Sequence, residues 1–340
     1  MRFGIMEDFR NPLKWRRPFP EFYNAILDQI VRAETLGYDN VWLTEHHFTE
    51  DGYNPSLLPT AAAIAARTSR IRIGSFILLL PYQHPVRAAE DVACIDILSN
   101  GRFDFGIGQG YSYHEWNALC MDRRTRGMRM REGIDIIKRL FTEERVSYDG
   151  RYTQIKDLTL SPKTVQQPHP PIWIGARGPK AIRNAAKLGY HLMATLGPDP
   201  APLYIETLKA EGRDPKLFNI AQLRMVYLAN SNAQAWDECQ DHLWHLLTFY
   251  QDILAEANDA DGDDKPLPAS GPAELRHSPL AAQMLIGSPD DVGKKLEHFC
   301  QNHQCTDFIM DMQFPGIDPA KATRSMELFA RELMPNFRDK

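Results

Sequence analysis

The chain has 340 residues, more than the roughly 100–200 of a typical domain, but α/β barrels reach this length as one unit. A formal charge of −5 with 43% hydrophobic and 10% aromatic residues describes a globular protein with a sizeable core and excludes the basic footprint of a nucleic-acid binder. Cys94, Cys120, Cys239, Cys300 and Cys305 are scattered without a CxxC pair, which favours reduced thiols over a disulfide framework or zinc site. The start, MRFGIMEDFRNPLKW, has no signal-peptide apolar stretch. No run approaches the ~18 apolar residues of a membrane span, so a soluble, cytoplasmic protein is expected.

Strand-like apolar runs alternate with amphipathic stretches. A strand at 2–6 (RFGIM) precedes a helical pattern at 20–36 that Gly37 stops. Further strands are read at 40–43, 71–79, 102–108, 171–175, 191–195, 220–229 and 306–310, with helices at 85–98, 126–141 and 179–188 among them. Eight strands in a βα rhythm, apolar on both faces, predict a parallel (β/α)8 TIM barrel forming a single domain over 1–340. Two segments interrupt the rhythm. Residues 145–155 alternate around Asp149-Gly150 and predict an inserted β-hairpin. Residues 256–283, after the seventh strand, are rich in Asp, Gly, Pro and Ala; their length suggests a mobile lid loop, with plain disorder as the alternative.

Barrel active sites lie where the C-terminal strand ends meet the βα loops, so the residues following each strand carry the functional reading. After the second strand stand Glu45, His46 and His47. Adjacent residues of an extended segment point to opposite faces, so one ring can face the mouth while the other packs elsewhere. The motif alone leaves three readings open: a metal site, an acid/base pocket, or an ordinary polar strand end. The other histidines supply no obvious metal spacing. His84 follows the third strand, with Pro85 suited to the first position of a helix. After the fourth strand, Gly106-Ile107-Gly108-Gln109-Gly110 could let a large flat ligand approach the backbone, or form nothing more than a tight turn. After the fifth, Gly175-Ala176-Arg177-Gly178-Pro179-Lys180-Ala181 runs straight into a helix. Its N–H groups, with Arg177, Lys180 and the more distant Arg126, suggest a phosphate cradle. A phosphate anchor, glycine-lined walls and imidazoles at the mouth suit a flavin mononucleotide.

TEHHFTEDG, LPYQHPVRAAEDVACIDILSNGRFDFGIGQG and SMELFARELMPNF closely resemble segments of the bacterial luciferase α subunit and of the wider luciferase-like monooxygenase family. The resemblance is collinear from residue 2 to about 337 and strongest over 39–110. It implies a (β/α)8 barrel with an inserted hairpin and a mobile loop after strand seven. It further implies reduced FMN, supplied by a separate flavin reductase, which reacts with O2 to give a flavin 4a-hydroperoxide that attacks a small organic substrate. His46 matches the acid/base imidazole beside the reactive flavin edge, and Glu45, His47 and His84 match its neighbours. Arg126 and the GARGPKA turn match phosphate contacts. A homodimer is also implied, as is a non-prolyl cis peptide near Phe76-Ile77, as in some members.

The chain departs from luciferase in having Gly108 and Gln109 where that protein has a reactive cysteine followed by an arginine, and Arg177 where it has a glutamate. Light emission and long-chain aldehyde specificity are therefore not expected, whereas FMN binding is. The leading expectation is an FMNH2- and O2-dependent monooxygenase acting on a rather apolar organic substrate, with His46 as acid/base and His47 supporting the wall. The alternatives are an oxidoreductase of the same superfamily using the deazaflavin F420, and a flavin-binding protein that has lost catalysis.

Overall fold

The computed structural model describes residues 1–195, 197–257 and 267–338. Eight parallel strands close on themselves: β1 (Arg2–Glu7), β2 (Asn40–Leu43), β3 (Arg72–Ser75), β4 (Phe103–Gly108), β5 (Ile172–Gly175), β6 (His191–Ala194), β7 (Ile220–Leu228) and β8 (Asp307–Asp311). Each pairs with the next, and β8 pairs with β1 through Gly4↔Ile309 and Met6↔Asp311. The expected TIM barrel is thus the observed fold. Helices wrap it: α1 (Phe19–Leu36), α2 (Leu57–Arg67), α3 (Pro85–Leu98), α4 (Arg126–Thr142), α5 (Gly178–Leu188), α6 (Ala201–Ala210), α7 (Asn232–Ala257), α8 (Pro289–Asn302) and α9 (Pro319–Glu332). Gly37 ends α1 in the left-handed region at φ 94°, as its sequence position predicts.

Between strands and helices lies a continuous apolar core, with Phe3, Ile5, Val41, Ile73 and Phe105 packed against Ile26, Ile30, Ile64 and Ile136. Alternation along each strand sends the other residue set inward. The middle of the barrel is apolar, built from Met6, Trp42, Phe76, Trp173, Met193, Ala221 and Ile309, with the Trp42 and Trp173 rings edge to face at 5.2 Å. The strands are not apolar throughout, contrary to the sequence expectation. Asn40, Asp104 and Asp307 occupy the N-terminal end of the interior, and by the same alternation Asp8 and Asp311 stand at its C-terminal end; all five are buried.

The hairpin is present as Val146–Asp149 paired antiparallel with Gln154–Leu158. Its turn is wider than the Asp149-Gly150 signal suggests. The Glu132 carboxylate on α4 accepts N–H bonds from Arg151, Tyr152 and Thr153 at 3.0, 3.0 and 2.6 Å, so a side chain from outside the hairpin shapes the connection. After strand seven, residues 258–266 of the expected lid lie outside the described residues. The rest of 256–283 is not structureless: it includes the end of α7, a helical turn at Pro272–Leu275 and a 3-10 turn at Pro279–Gln283. Leu275 and Ala281 are buried in a cluster with Leu243 and Leu246 of α7, a spacing too short for sequence periodicity to reveal.

Candidate active site

β2 ends at Leu43 and delivers Glu45 and His46, both buried, to the C-terminal mouth. The two imidazoles have different surroundings. His46 Nδ1 lies 2.7 Å from Glu115 Oε1, and its Nε2 lies 3.1 Å from the Tyr111 hydroxyl. Its ring is boxed edge-on by Tyr53, Tyr111, Phe249 and Tyr250 at centroid distances of 4.8–6.2 Å. His47 instead places Nε2 2.6 Å from Glu45 Oε1, while Glu45 Oε2 accepts the Leu79 N–H at 3.1 Å. Glu45 and His47 therefore tie the β2 loop to the continuation of β3.

Glu115 sits in the short helix Tyr113–Ala118, whose start is capped by Ser112. Besides His46, its carboxylate accepts the His47 N–H at 3.0 Å and the Tyr82 hydroxyl at 3.2 Å. Burial pushes the Glu115 carboxyl up, but the bonds from His46 and the His47 N–H, with the charges of both rings, outweigh it and hold the group below its ordinary value. An ionised Glu115 is acceptor-only, so Nδ1 of His46 donates to it and Nε2 is left to accept from the Tyr111 hydroxyl. Burial lowers the proton affinity of His47, yet its bond to Glu45 and the charges of Glu45 and Glu115 raise it overall. Burial, then the charges of Tyr250 and Glu115, keeps the Tyr111 phenol well above its usual range, with Arg177 pulling the other way. Arg177 stands at the cap of α5, at the same strand-end face of the barrel.

Beyond Tyr53 and Phe249 lies a second polar group. Asp8 follows β1, and its Oδ1 accepts the Arg10 N–H at 3.0 Å. Arg10 donates Nε to Asp51 at 2.6 Å and stacks 4.0 Å above the Phe249 ring. Burial raises Glu7 and Asp311 well above their usual values, each assisted by repulsion from Asp8, and raises Asp8 to about 6. For Asp51, the nearby His245 ring, 3.9 Å away, and the charge and bond of Arg10 outweigh burial and keep it ionised.

The remaining expected residues fall in three places. His84 is exposed at the cap of α3, outside the His46–Glu115–Tyr111 chain. The Phe76–Ile77 bond is cis, and Phe76 packs inside the barrel while Ile77 lies across the ends of β4 and β5. A Cβ on Gly108 would fall 1.6 Å from Ile77 Cδ1, and one on Gly175 would fall 3.0 Å from Ile77 Cγ2. Those glycines make room for Ile77, a nearer reason than the flat ligand their spacing suggested. Gln109 is exposed near the start of α4, and Gly110 takes φ 72° beside the Tyr82 hydroxyl. At the fifth strand, Ala176 is buried, Gly178 opens α5 at φ 77°, Arg177 and Lys180 are exposed, and Ala181 is half-buried. Arg126 begins α4.

Glu115, Tyr111, Tyr82 and the Asp8–Arg10–Asp51 group were not singled out by sequence. Asp8 and Arg10 directly follow the first strand, so the rule applied to the other strands would have found them. Tyr250 and Phe249 come from α7, about 200 positions after His46, and carry no local signal. A cavity of about 390 Å³, lined by residues such as Phe218, Phe299 and His303, opens before β7 and β8, at the end of the barrel opposite the histidines. Among the described residues no three His, Cys, Asp or Glu side chains are grouped to hold a metal ion, and no helix is long and apolar enough to cross a membrane.

Fold and site together define a (β/α)8 barrel whose C-terminal mouth holds a buried Glu115–His46–Tyr111 chain. The family described as luciferase-like monooxygenase matches residues 1–303. The chain is 30% identical over 229 residues to the oxygenase component of the flavin-dependent trigonelline monooxygenase of Acinetobacter baylyi, a match spanning 63% of this chain and 62% of that protein. It is 36% identical over 191 residues to the F420-dependent glucose-6-phosphate dehydrogenase of Microbacterium testaceum, spanning 54% and 56%. These matches therefore span less than two thirds of either relative. The structure is similar to that of monooxygenase RslO1 from Streptomyces bottropensis, with a TM-score of 0.85 and 25% identity over 99% of this chain and all of that one. This chain belongs to the luciferase-like monooxygenase family, whose members here include flavin- and F420-dependent proteins.

Proposed function

We propose that the chain is the oxygenase of a two-component system that takes reduced FMN from a flavin reductase and uses O2 to oxygenate a small organic substrate. The observation that carries this reading is the Glu115–His46–Tyr111 chain at the mouth, on the same strand-end face as the cationic start of α5. The residues present suit FMN. The first turn of α5 offers backbone N–H groups at a partly positive helix end, with Arg177 and Lys180 exposed beside it and Arg126 at the start of α4. Ile77 on Gly108 and Gly175 forms an apolar shelf between that turn and β4. When bound, reduced FMN supplies two electrons, so that one atom of O2 enters the substrate and the other leaves as water.

The protein's part is positioning and proton control. Glu115 fixes the orientation and tautomer of His46 through Nδ1, leaving Nε2 to hold or deliver a proton toward Tyr111 or the ligand. The aromatic box limits water around that nitrogen. Glu45 and His47 hold the wall through Leu79. The chain is further proposed to act as a cytoplasmic homodimer.

The test is oxygen consumption driven by NADH with a flavin reductase and FMN across a panel of organic substrates. Substrate-dependent product formation supports the reading, and its absence together with failure to bind reduced FMN removes it. The 36% identity to an F420-dependent dehydrogenase favours a second reading, hydride transfer with F420. Parallel titrations decide between them, since tight binding of F420 alone would select the second.

A further inference from the structure

Among the described residues, Arg10 is a buried cation with both terminal nitrogens unpartnered. Its residue is 1% exposed, its Nε is committed to Asp51 at 2.6 Å, and its guanidinium stacks on Phe249 at 4.0 Å and faces Tyr53 at 5.3 Å. Among the described residues, neither Nη1 nor Nη2 has a hydrogen-bond partner, although both are buried. Buried polar groups are almost always satisfied, and an unsatisfied charged donor is costly. The neighbouring carboxyl groups do not meet this need: Asp8 Oδ1 takes the Arg10 backbone N–H, and Asp8 Oδ2 and Glu7 Oε2 are also buried without a partner.

The position of these donors connects them to the site. Phe249 and Tyr53, which flank the guanidinium, are also two of the rings around His46, at 5.9 and 4.8 Å. Asp51 fixes the fork from one side and Phe249 fixes its plane, so the two Nη groups are presented with little freedom left to lose. The aromatic box supplies flat apolar contact for a ring, and the Arg10 fork supplies donors for an oxygen attached to it.

Resting on the oxygenase reading above, we propose that Arg10 is a substrate-binding residue and that the substrate is an aromatic compound carrying a planar acceptor oxygen, a carbonyl or carboxylate, that receives the Nη1 and Nη2 hydrogens. This narrows the rather apolar organic substrate expected from sequence. Burial, with repulsion from Asp8, holds Glu7 and Asp311 well above ordinary carboxyl values, which lessens the negative charge such an oxygen would meet.

The test needs no flavin and so stands apart from the oxygenase assay. Binding of acetophenone, of its acceptor-free analogue ethylbenzene, and of benzoate is measured by calorimetry and saturation-transfer NMR on the native protein. A bond from a charged donor predicts acetophenone about 10-fold or more tighter than ethylbenzene. Benzoate decides whether a carboxylate or only a neutral carbonyl is taken. Arg10→Lys keeps the charge beside Asp51 but loses the planar fork, and should erase most of that preference while circular dichroism shows an intact barrel. Equal binding of acetophenone and ethylbenzene, binding of neither acetophenone nor benzoate, or a native preference untouched in folded Arg10→Lys protein would each overturn the proposal. If Arg10→Lys does not fold, the native comparison still decides. Probe preference without reduced-FMN binding would remove the oxygenase reading and leave the Arg10 site standing.

Discussion

The two ends of the barrel interior hold similar side chains in opposite states. At the N-terminal end, Asp104 takes a two-pronged bond from Arg72 at 2.7 and 2.9 Å and accepts from Trp173 at 3.3 Å. Asp307 there is bonded by Arg2, Asn40 and Thr306 at 2.8, 3.0 and 2.6 Å. At the C-terminal end, Asp8 inside the barrel and its chain neighbours Glu7 and Arg10 keep buried polar atoms without partners among the described residues. Satisfied polar groups hold a barrel closed, whereas the unsatisfied ones at the loop end support the ligand role proposed for Arg10. The contrast follows the usual division of barrels into a stability face and an active-site face.

Three substitutions test that contrast, beginning with the largest expected effect. At the open end, His46→Ala should reduce turnover by about 10²–10⁴-fold with reduced-FMN affinity retained, as measured by steady-state rates and flavin titration; unchanged turnover would strip His46 of its role. At the closed end, Arg72→Ala leaves the buried Asp104 without its ionic partner and should cost about 3 kcal/mol of stability in urea unfolding. Flavin affinity should not change, and a variant that lost flavin binding without losing stability would reverse the assignment of the two ends.

The smallest expected effect comes from Asp8→Asn and is seen best against pH. Asp8 has a folded value of about 6 against an ordinary 3.8, so its protonated form favours the fold. Its contribution is fully present below the unfolded value and is lost as pH rises through the folded value. The stability of native protein relative to Asp8→Asn should therefore fall between pH 3.8 and about 6, and a flat difference curve would contradict the stated burial of that carboxyl.

The barrel was legible in sequence because strand burial is a local property. Runs such as NVWL and RFDFGIG are apolar and end in turn residues, and Gly37 marks a helix stop through its own φ. The site was legible only in part. Glu45-His46-His47 stand together at a strand end, but Glu115 joins them from 69 positions away and Tyr250 from about 200, with no periodicity to announce either. Gly108 was noticed for its spacing but not for its reason, because the side chain it accommodates, Ile77, comes from the segment that follows β3. The polar ends of the barrel interior escaped notice because Asn40, Asp104, Asp307, Asp8 and Asp311 each stand singly at or near a strand end, which in sequence looks like an ordinary strand boundary.

The central claim is that the C-terminal mouth around His46 oxygenates a substrate with O2, and its most direct test is isotope incorporation. Purified protein, a flavin reductase, NADH and FMN are supplied with ¹⁸O2 and a panel of aromatic carbonyl compounds, and the products are examined by mass spectrometry. The account predicts a product gaining one ¹⁸O atom, and its loss in His46→Ala. A product free of label, or one formed only with reduced or oxidised F420 and no oxygen, would contradict it.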